Sequence, residues 1–348
     1  MPVEDRKKNR VTLLDVAQRA GVSRATASLV VRKSPLVGAQ TRARVEEAMA
    51  ALGYVYNMGA ARLRAERSNA VGVVVPNLTN PFFAELLSGI EAVIDRAGMV
   101  VLLVNSGDTV ERQDVLMRRL REHGVDGIIL CAAAGTQAGI VQQLLDWDLP
   151  VVQTLRHISP QLDYAGADYA AGMRQAVDHL ADLGHTAISF AVHGPVHSAY
   201  DERIKGFGEA MRARGLKSGH VIRVPDQTAQ IPQAAKALFE ASRPTAIICF
   251  NDVIAVGLNA GLSDLGLKVG KDVSLVGFDD VTEADIIRPR LTSISTAPVT
   301  IGEDSARLLL DRIREPQLPP RWIIKPTQLH VRQSSAAAAL PLGIHKAG

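Results

Sequence analysis

His193 and His197 stand four residues apart, the spacing that places two ring nitrogens on one helix face for a metal ion. Gly194-Pro195 lies between them and forbids a continuous helical face, so both read as loop histidines and no metal is expected. Cys131 and Cys249 each close an apolar run, GIILC and AIIC. Two thiols cannot build a disulfide framework, and they read as buried small hydrophobes in a reducing compartment. The nucleotide and nucleophile motifs are missing as well. No G-x-G-x-x-G follows the first strand-like run, where the loop reads Pro76-Asn77-Leu78-Thr79-Asn80-Pro81, and Gly206-Phe207-Gly208 falls in a helical stretch without a third glycine. There is no Walker A lysine loop and no G-x-S-x-G elbow, so the expectation is a protein that is not an enzyme and uses no cofactor.

The side chains that remain are cationic and hydrogen-bonding groups, and the elements that must position them begin in a basic head. Residues 1–68 carry 13 Lys or Arg against 6 Asp or Glu, whereas residues 69–348 carry 26 against 30. A basic head on a slightly acidic body suggests a polyanion-binding module joined to something else. Leu13, Val16, Ala17 and Ala20 recur at helical spacing, with Thr12 and Asp15 as a capping pair. Gly21 breaks that helix and Ser23 caps a second one, which turns Ala27, Val30 and Val31 inward. Arg24, Ala25, Thr26, Ser28, Leu29 and Arg32 face outward or lie at its edges. A third helix is expected over Thr41–Leu52, with Gly53 as its stop.

From Ala70 onward the period changes. Continuous apolar runs (VGVVV, MVVLLV, GIILC, PVV, AISFAV, VIRV, AIICF and VSLVGF) alternate with helix-length amphipathic segments, which predicts parallel sheets covered on both faces. The runs are too many for one compact sheet and predict two α/β lobes. None is long enough to span a bilayer, so no membrane partner is expected. The charged start MPVEDRKKNR, with no apolar run after it, predicts no secretory signal and a cytoplasmic protein.

VTLLDVAQRAGVSRATASLVV followed by TRARVEEAMAALGYVYN closely resembles the DNA-binding head of the LacI family of bacterial transcriptional regulators. NMGAARLRAER (57–67) resembles the family's hinge helix. NLTNPFFAEL, REHGVDGIIL, HLADLGHTAI, RPTAIICFND, DVSLVGFDD and LTSISTAPVTIGEDSARLLLDRI resemble its effector domain, so the likeness spans roughly residues 10–335.

The resemblance implies a small all-α helix-turn-helix DNA-binding head over 1–56, a hinge over 57–68, and an α/β two-lobed body over 69–340. The body would have the fold of type I periplasmic binding proteins, with one lobe at about 70–165 plus 297–325 and the other at 166–296 plus 326–340. In the head it implies base-edge reading by Arg24, Ala25 and Leu29, with Thr26 beside them. Ser23, Ser28, Thr41 and Asn57 match phosphate-contact positions, and Thr12 and Arg32 complete the DNA-facing set. In the hinge, Leu63 matches a minor-groove wedge, with Ala60 on the same face one turn earlier. Leu29 departs from the family's usual Arg; a leucine there either packs or meets a thymine methyl. In the body, Phe82, Phe83, His197, Ala199, Arg203, Asn251 and Asp279 match effector-pocket positions. Leu155 stands where the family often has Asp, and Gln227 where a pocket aromatic is usual, so less stacking on the effector is expected.

Together these readings predict a homodimeric regulator, most simply a repressor, that binds a palindromic operator. A small-molecule effector (sugar, sugar acid, polyol or nucleobase) would control it. A binding or transport protein of the same fold without a regulatory role is the alternative, and the basic head opposes it. The sequence after Arg332 carries no leucine heptads, so no added coiled coil is expected. That stretch is expected to be disordered, with 341–348 as a free tail.

Overall fold

The computed structural model describes residues 11–31, 34–54, 68–217 and 219–338, without the side chains of Thr228, Ala241 and Ser242. The chain divides into two compact units, Met1–Ser68 and Asn69–Gly348. In the first unit, α1 (Leu13–Ala20), α2 (Arg24–Val31) and α3 (Ala39–Leu52) form a helix-turn-helix with a third helix behind it. Thr12 opens α1 with a capping box: its Oγ1 accepts from the Asp15 N–H at 3.4 Å, and the Asp15 carboxylate accepts from the Thr12 N–H at 2.7 Å. Gly21, at φ 63°, supplies the left-handed stop that L-side chains resist. Ser23 then caps α2, its Oγ accepting from the Thr26 N–H at 3.0 Å. The three helices bury Val16, Ala17, Ala20, Ala27, Val30, Val45 and Ala48. These are the inward faces the spacing predicts, filled mostly by small residues that let the helices approach closely.

The body contains two six-stranded sheets. The first has the order β11 (Trp322–Lys325), β5 (Asp163–Ala167), β4 (Val151–Thr154), β3 (Gly127–Leu130), β1 (Ala70–Val75) and β2 (Val100–Asn105), all parallel. The second has the order β12 (Gln328–His330), β10 (Thr292–Ser295), β9 (Ser274–Asp279), β8 (Ala246–Cys249), β6 (Ile188–Val192) and β7 (Val221–Arg223). Its strands are parallel except for the β10–β12 pair. The strands β1, β3, β6 and β8 are buried along their whole length, which explains their nearly continuous apolar sequences, with Ser189 the polar residue among them.

Helices α4 (Pro81–Arg96), α5 (Val110–Glu122), α6 (Ile140–Asp146) and α12 (Pro298–Arg314) serve the first lobe. Helices α7 (Tyr169–Asp182), α8 (Ser198–Ala213), α9 (Ile231–Ser242), α10 (Asp252–Asp264) and the short α11 (Glu283–Ile286) serve the second. The chain passes between the sheets three times: after β5, after β10, and between β11 and β12. Helix α12 returns to the first lobe and packs tightly on α4 through two glycines. A Cβ on Gly89 would lie 2.0 Å from the Val299 carbonyl oxygen, and one on Gly302 2.1 Å from that of Leu86.

The expected disorder directly after Arg332 is corrected. The Leu275 N–H donates to the Ser334 carbonyl at 2.7 Å, the Ser334 hydroxyl to the Leu275 carbonyl at 2.6 Å, and the Ala338 N–H to the Leu183 carbonyl at 2.8 Å. Small side chains here let the backbone lie against the second lobe and satisfy its own polar groups. The segment 341–348 lies outside the described residues.

Candidate functional site

The head presents Arg24 and Ala25 exposed at the start of α2, with Thr26, Ser28 and Leu29 half-buried along it and Thr41 half-buried on α3. The Ser23 and Thr26 hydroxyls are 2.9 Å apart, which fixes both at the helix start. Just beyond α2, the Arg42 guanidinium donates to the Ser34 carbonyl at 2.7 Å and the Ser34 N–H to the Leu29 carbonyl at 3.0 Å. The predicted DNA-facing residues Arg32, Asn57, Ala60 and Leu63 lie outside the described residues.

In the body, a cavity of about 440 Å³ opens between the two lobes at the C-terminal ends of the strands, where open α/β sheets place ligands. All seven residues singled out there, Phe82, Phe83, His197, Ala199, Arg203, Asn251 and Asp279, line it. All but Arg203, which lies in the second turn of α8, are delivered by a strand end or a helix start. Asn80 caps α4 by accepting from the Phe82 N–H at 3.1 Å, which fixes Phe82 and Phe83 edge-to-face with centroids 5.5 Å apart. Asn251 caps α10, its Oδ1 accepting from the Ile254 N–H at 3.0 Å, while its Nδ2 lies 3.3 Å from His193 Nε2. His197 caps α8 with ring Nδ1, which accepts from the Tyr200 N–H at 3.1 Å. The neutral ring therefore carries its proton on Nε2. Burial, with Arg156 and Arg203 adding to it, pushes the His197 pKa down to about 2, so the ring stays uncharged.

Arg203 and Asp279 dominate the electrostatics. The guanidinium carbon lies 4.2 Å from the Tyr169 ring centroid, 4.4 Å from that of Phe250 and 4.5 Å from that of Phe278. Polar partners are few and distant. Arg203 Nη2 is 3.7 Å from Asp279 Oδ1, Nη1 is 3.5 Å from the Ala199 carbonyl, and the buried Nε has no partner among the described residues. Asp279 accepts from Asn80 Nδ2 at 3.5 Å, and its own φ is 109°. Burial raises its pKa to about 7 against the lowering effects of Arg203 and Asn80. Behind it, the buried Asp252 is also pushed well up by burial, then by Asp279, while accepting from the Ser293 hydroxyl at 2.6 Å and the Val281 N–H at 2.9 Å.

The structure adds a second ion pair that the sequence reading did not single out. Arg156, next to Leu155 at φ 61°, forks onto Asp108 at 2.5 and 3.3 Å and donates to the Ala132 carbonyl at 3.0 Å; both side chains line the cleft. Nothing in sequence spacing signals a pair separated by 48 residues. Tyr169, His193 and Phe250 also line the cleft without having been predicted, although Phe250 directly precedes the Asn251-Asp252 helix start. Gln227 is exposed, with its Oε1 accepting from Gln230 at 2.9 Å, and Phe82, Phe83, Tyr169 and Phe250 supply aromatic walls from other elements. Cys131 and Cys249 are buried free thiols, and burial pushes Cys131 up to about 12.

A two-lobed ligand-binding body behind a helix-turn-helix head defines a ligand-responsive DNA-binding regulator. Residues 12–57 match the model of bacterial regulatory proteins of the lacI family, and residues 68–333 match that of periplasmic binding proteins and the sugar-binding domain of the LacI family. The chain belongs to the LacI family. The HTH-type transcriptional repressor PurR of Vibrio vulnificus (strain CMCP6) is 32% identical over 329 residues, 93% of this chain and 98% of that protein. The lac repressor dimer bound to operator and the anti-inducer ONPF aligns with a TM-score of 0.82 at 27% identity, covering 94% of this chain and 100% of that one. A complex of the transcriptional regulator CelR with cellobiose aligns at 0.71 and 28% identity, with the same coverage of each chain. The protein is thus a transcriptional regulator and not an enzyme. Among its described residues no helix is long and apolar enough to cross a membrane.

Proposed function

We propose that the protein represses transcription as a homodimer on a palindromic operator, each protomer reading one half-site through α2, and that a small polyhydroxylated or heterocyclic effector in the interlobe cleft controls it. Arg24, Ala25 and Leu29, with Thr26, read base edges. Thr12, Ser23, Ser28, Arg32, Thr41 and Asn57 hold phosphates, and Leu63, flanked by Ala60, enters the minor groove. The protein then works in the cytoplasm, on the nucleoid when bound to its operator.

One observation carries the effector reading: the Arg203 guanidinium is buried on the cleft wall with its Nε unpartnered and its nearest carboxylate 3.7 Å away. A buried cation between aromatic rings with few polar partners is stabilised by a ligand acceptor that reaches it. Facing Asp279, Asn251 and neutral His197, it matches a molecule with adjacent donors and acceptors, such as a sugar, sugar acid, polyol or nucleobase.

Thermal-shift screening of those four classes tests the effector, since a ligand of the folded body raises its melting temperature. Selection from random duplexes, followed by titration in rising salt, tests the operator. A palindromic site and at least one stabilising compound are expected. No salt-sensitive binding to any palindrome would refute the regulator reading, and no shift with any class would refute the effector reading.

A further inference from the structure

We propose that the turn Leu155-Arg156-His157 couples the cleft to lobe closure, with His157 as the positioning residue that latches the first lobe onto the second. Three consecutive residues carry three contacts of different kinds. Leu155 leaves β4 in the left-handed region, and its carbonyl accepts from the Tyr164 and Tyr169 hydroxyls at 3.3 and 3.4 Å. A non-glycine residue in that region costs energy and persists only where contacts such as these converging hydrogen bonds hold it. Arg156 faces the cleft and is tied to Asp108. His157 then crosses to the second lobe: its N–H donates to Ser198 Oγ at 2.8 Å, and its ring Nε2 is 2.9 Å from Glu202 Oε1.

Ser198 and Glu202 sit one turn apart on α8, the helix that also delivers Ala199 and Arg203 to the cleft wall. Movement of this latch therefore moves the helix carrying the central arginine. On another part of the interlobe boundary the polar contacts are longer, Asn80 to Asp279 and Thr282 to Glu85 each at 3.5 Å. The strongest lobe-to-lobe hold among these contacts is thus one peptide bond from a cleft residue. The regulatory consequence rests on the effector reading above, but the latch itself is a property of the protein alone.

The His157 ring packs on Tyr164 and Trp322, with centroids 5.4 and 5.0 Å apart, and Trp322 and Trp147 are the two tryptophans of the chain. In full-length Trp147→Phe protein, Trp322 is therefore a reporter for the latch. Ser198→Ala with Glu202→Ala, both on the opposite lobe from Trp322, is expected to raise acrylamide quenching of Trp322 about twofold and to accelerate His157 amide exchange about tenfold. Ser198→Thr restores the amide protection. Asp108→Ala, which alters only the cleft side, is expected to move both readouts in the same direction. Parent-like quenching and exchange in the Ser198/Glu202 variant would overturn the latch. A shift there with parent values in Asp108→Ala would overturn the coupling to the cleft. If no effector class binds in the thermal-shift screen, only the effector reading fails, because these measurements use no ligand.

Discussion

Asp279 should make the protein less stable at neutral and basic pH than it would be with an uncharged residue there. The carboxylate is buried and faces Arg203 at 3.7 Å, and its pKa is raised from 3.8 to about 7. Below pH 3.8 the group is neutral in both folded and unfolded chains and has no effect. As pH rises toward 7, the unfolded chain ionises while the folded protein keeps its proton, so stability falls steadily; above 7 the loss is complete and constant. The separation of the two values corresponds to about 4 kcal/mol at pH 8 but only about 0.5 kcal/mol at pH 4. Relaxation around the charge makes the larger figure an upper bound.

Asp279→Asn removes the charge as protonation does, and it leaves Arg203 in the same condition as the protonated parent. The variant should therefore match the parent near pH 4 and exceed it at pH 8. At just under 2 °C per kcal/mol for a body the size of Asn69–Gly348, the difference in melting temperature should widen by about 6 °C across that range. Circular-dichroism melts of both proteins at pH 4, 6 and 8 test this. A difference that does not change with pH, or an Asn variant that is the less stable at pH 8, would show that Arg203 compensates the carboxylate and that the cleft stores no such cost.

Other perturbations separate the two units. Arg203→Ala should abolish the thermal shift given by any effector while leaving the operator dissociation constant within about twofold of the parent, as gel-shift titration would show; a normal shift would remove Arg203 from the binding wall. Leu29→Arg should redirect selection from random duplexes toward a guanine in each half-site, with about 1–3 kcal/mol of discrimination, and an unchanged site would mean that Leu29 only packs. Leu63→Ala should weaken specific binding by about 1–3 kcal/mol and spare nonspecific binding; equal losses in both would refute the wedge role. Gly302→Ala should destabilise the body by about 1–3 kcal/mol or more, because its Cβ meets the Leu86 carbonyl at 2.1 Å, and denaturant unfolding would measure it.

The elements most legible in the sequence were those whose pattern is set by a single local rule. The capping residues Thr12 and Ser23, the stops at Gly21 and Gly53, and the eight apolar runs all became structure, because helix ends and covered strands need those residue types wherever they occur, although the runs of β2 and β7 lie at sheet edges and are only partly covered. The strands that escaped were β5, β10, β11 and β12. Asp163-Tyr164-Ala165-Gly166-Ala167 and Thr292-Ser293-Ile294-Ser295 lack apolar continuity, and their buried polar atoms are satisfied by distant partners. Asp163 accepts from Arg312 at 2.9 Å, and Ser293 donates to Asp252 at 2.6 Å. The cleft followed the same division. Residues matching a family motif were found one by one, whereas Asp108, Arg156 and Tyr169 come together only through the tertiary fold, which no spacing rule encodes.

Backbone strain gives an independent reason to place function in the cleft. Of the eight non-glycine residues with positive φ among the described residues, Asp108, Leu155 and Asp279, at 58°, 61° and 109°, line the same cavity. Each costs of order 1–3 kcal/mol and persists only where surrounding contacts hold it. Those contacts are visible. Asp108 is held by the Ala134 N–H at 2.9 Å and by Arg156, Leu155 by two tyrosine hydroxyls, and the segment just after Asp279 by Ser293 and Asp252. A protein selected for stability alone would place glycine at such positions or relax the turns. Keeping two aspartates and a leucine there aims the Asp108 and Asp279 carboxylates into the cleft and sends the chain from Leu155 toward Arg156 and His157. The strain, the raised Asp279 pKa and the undersatisfied Arg203 meet in one cavity, which supports the proposal that this site is preorganised for an effector.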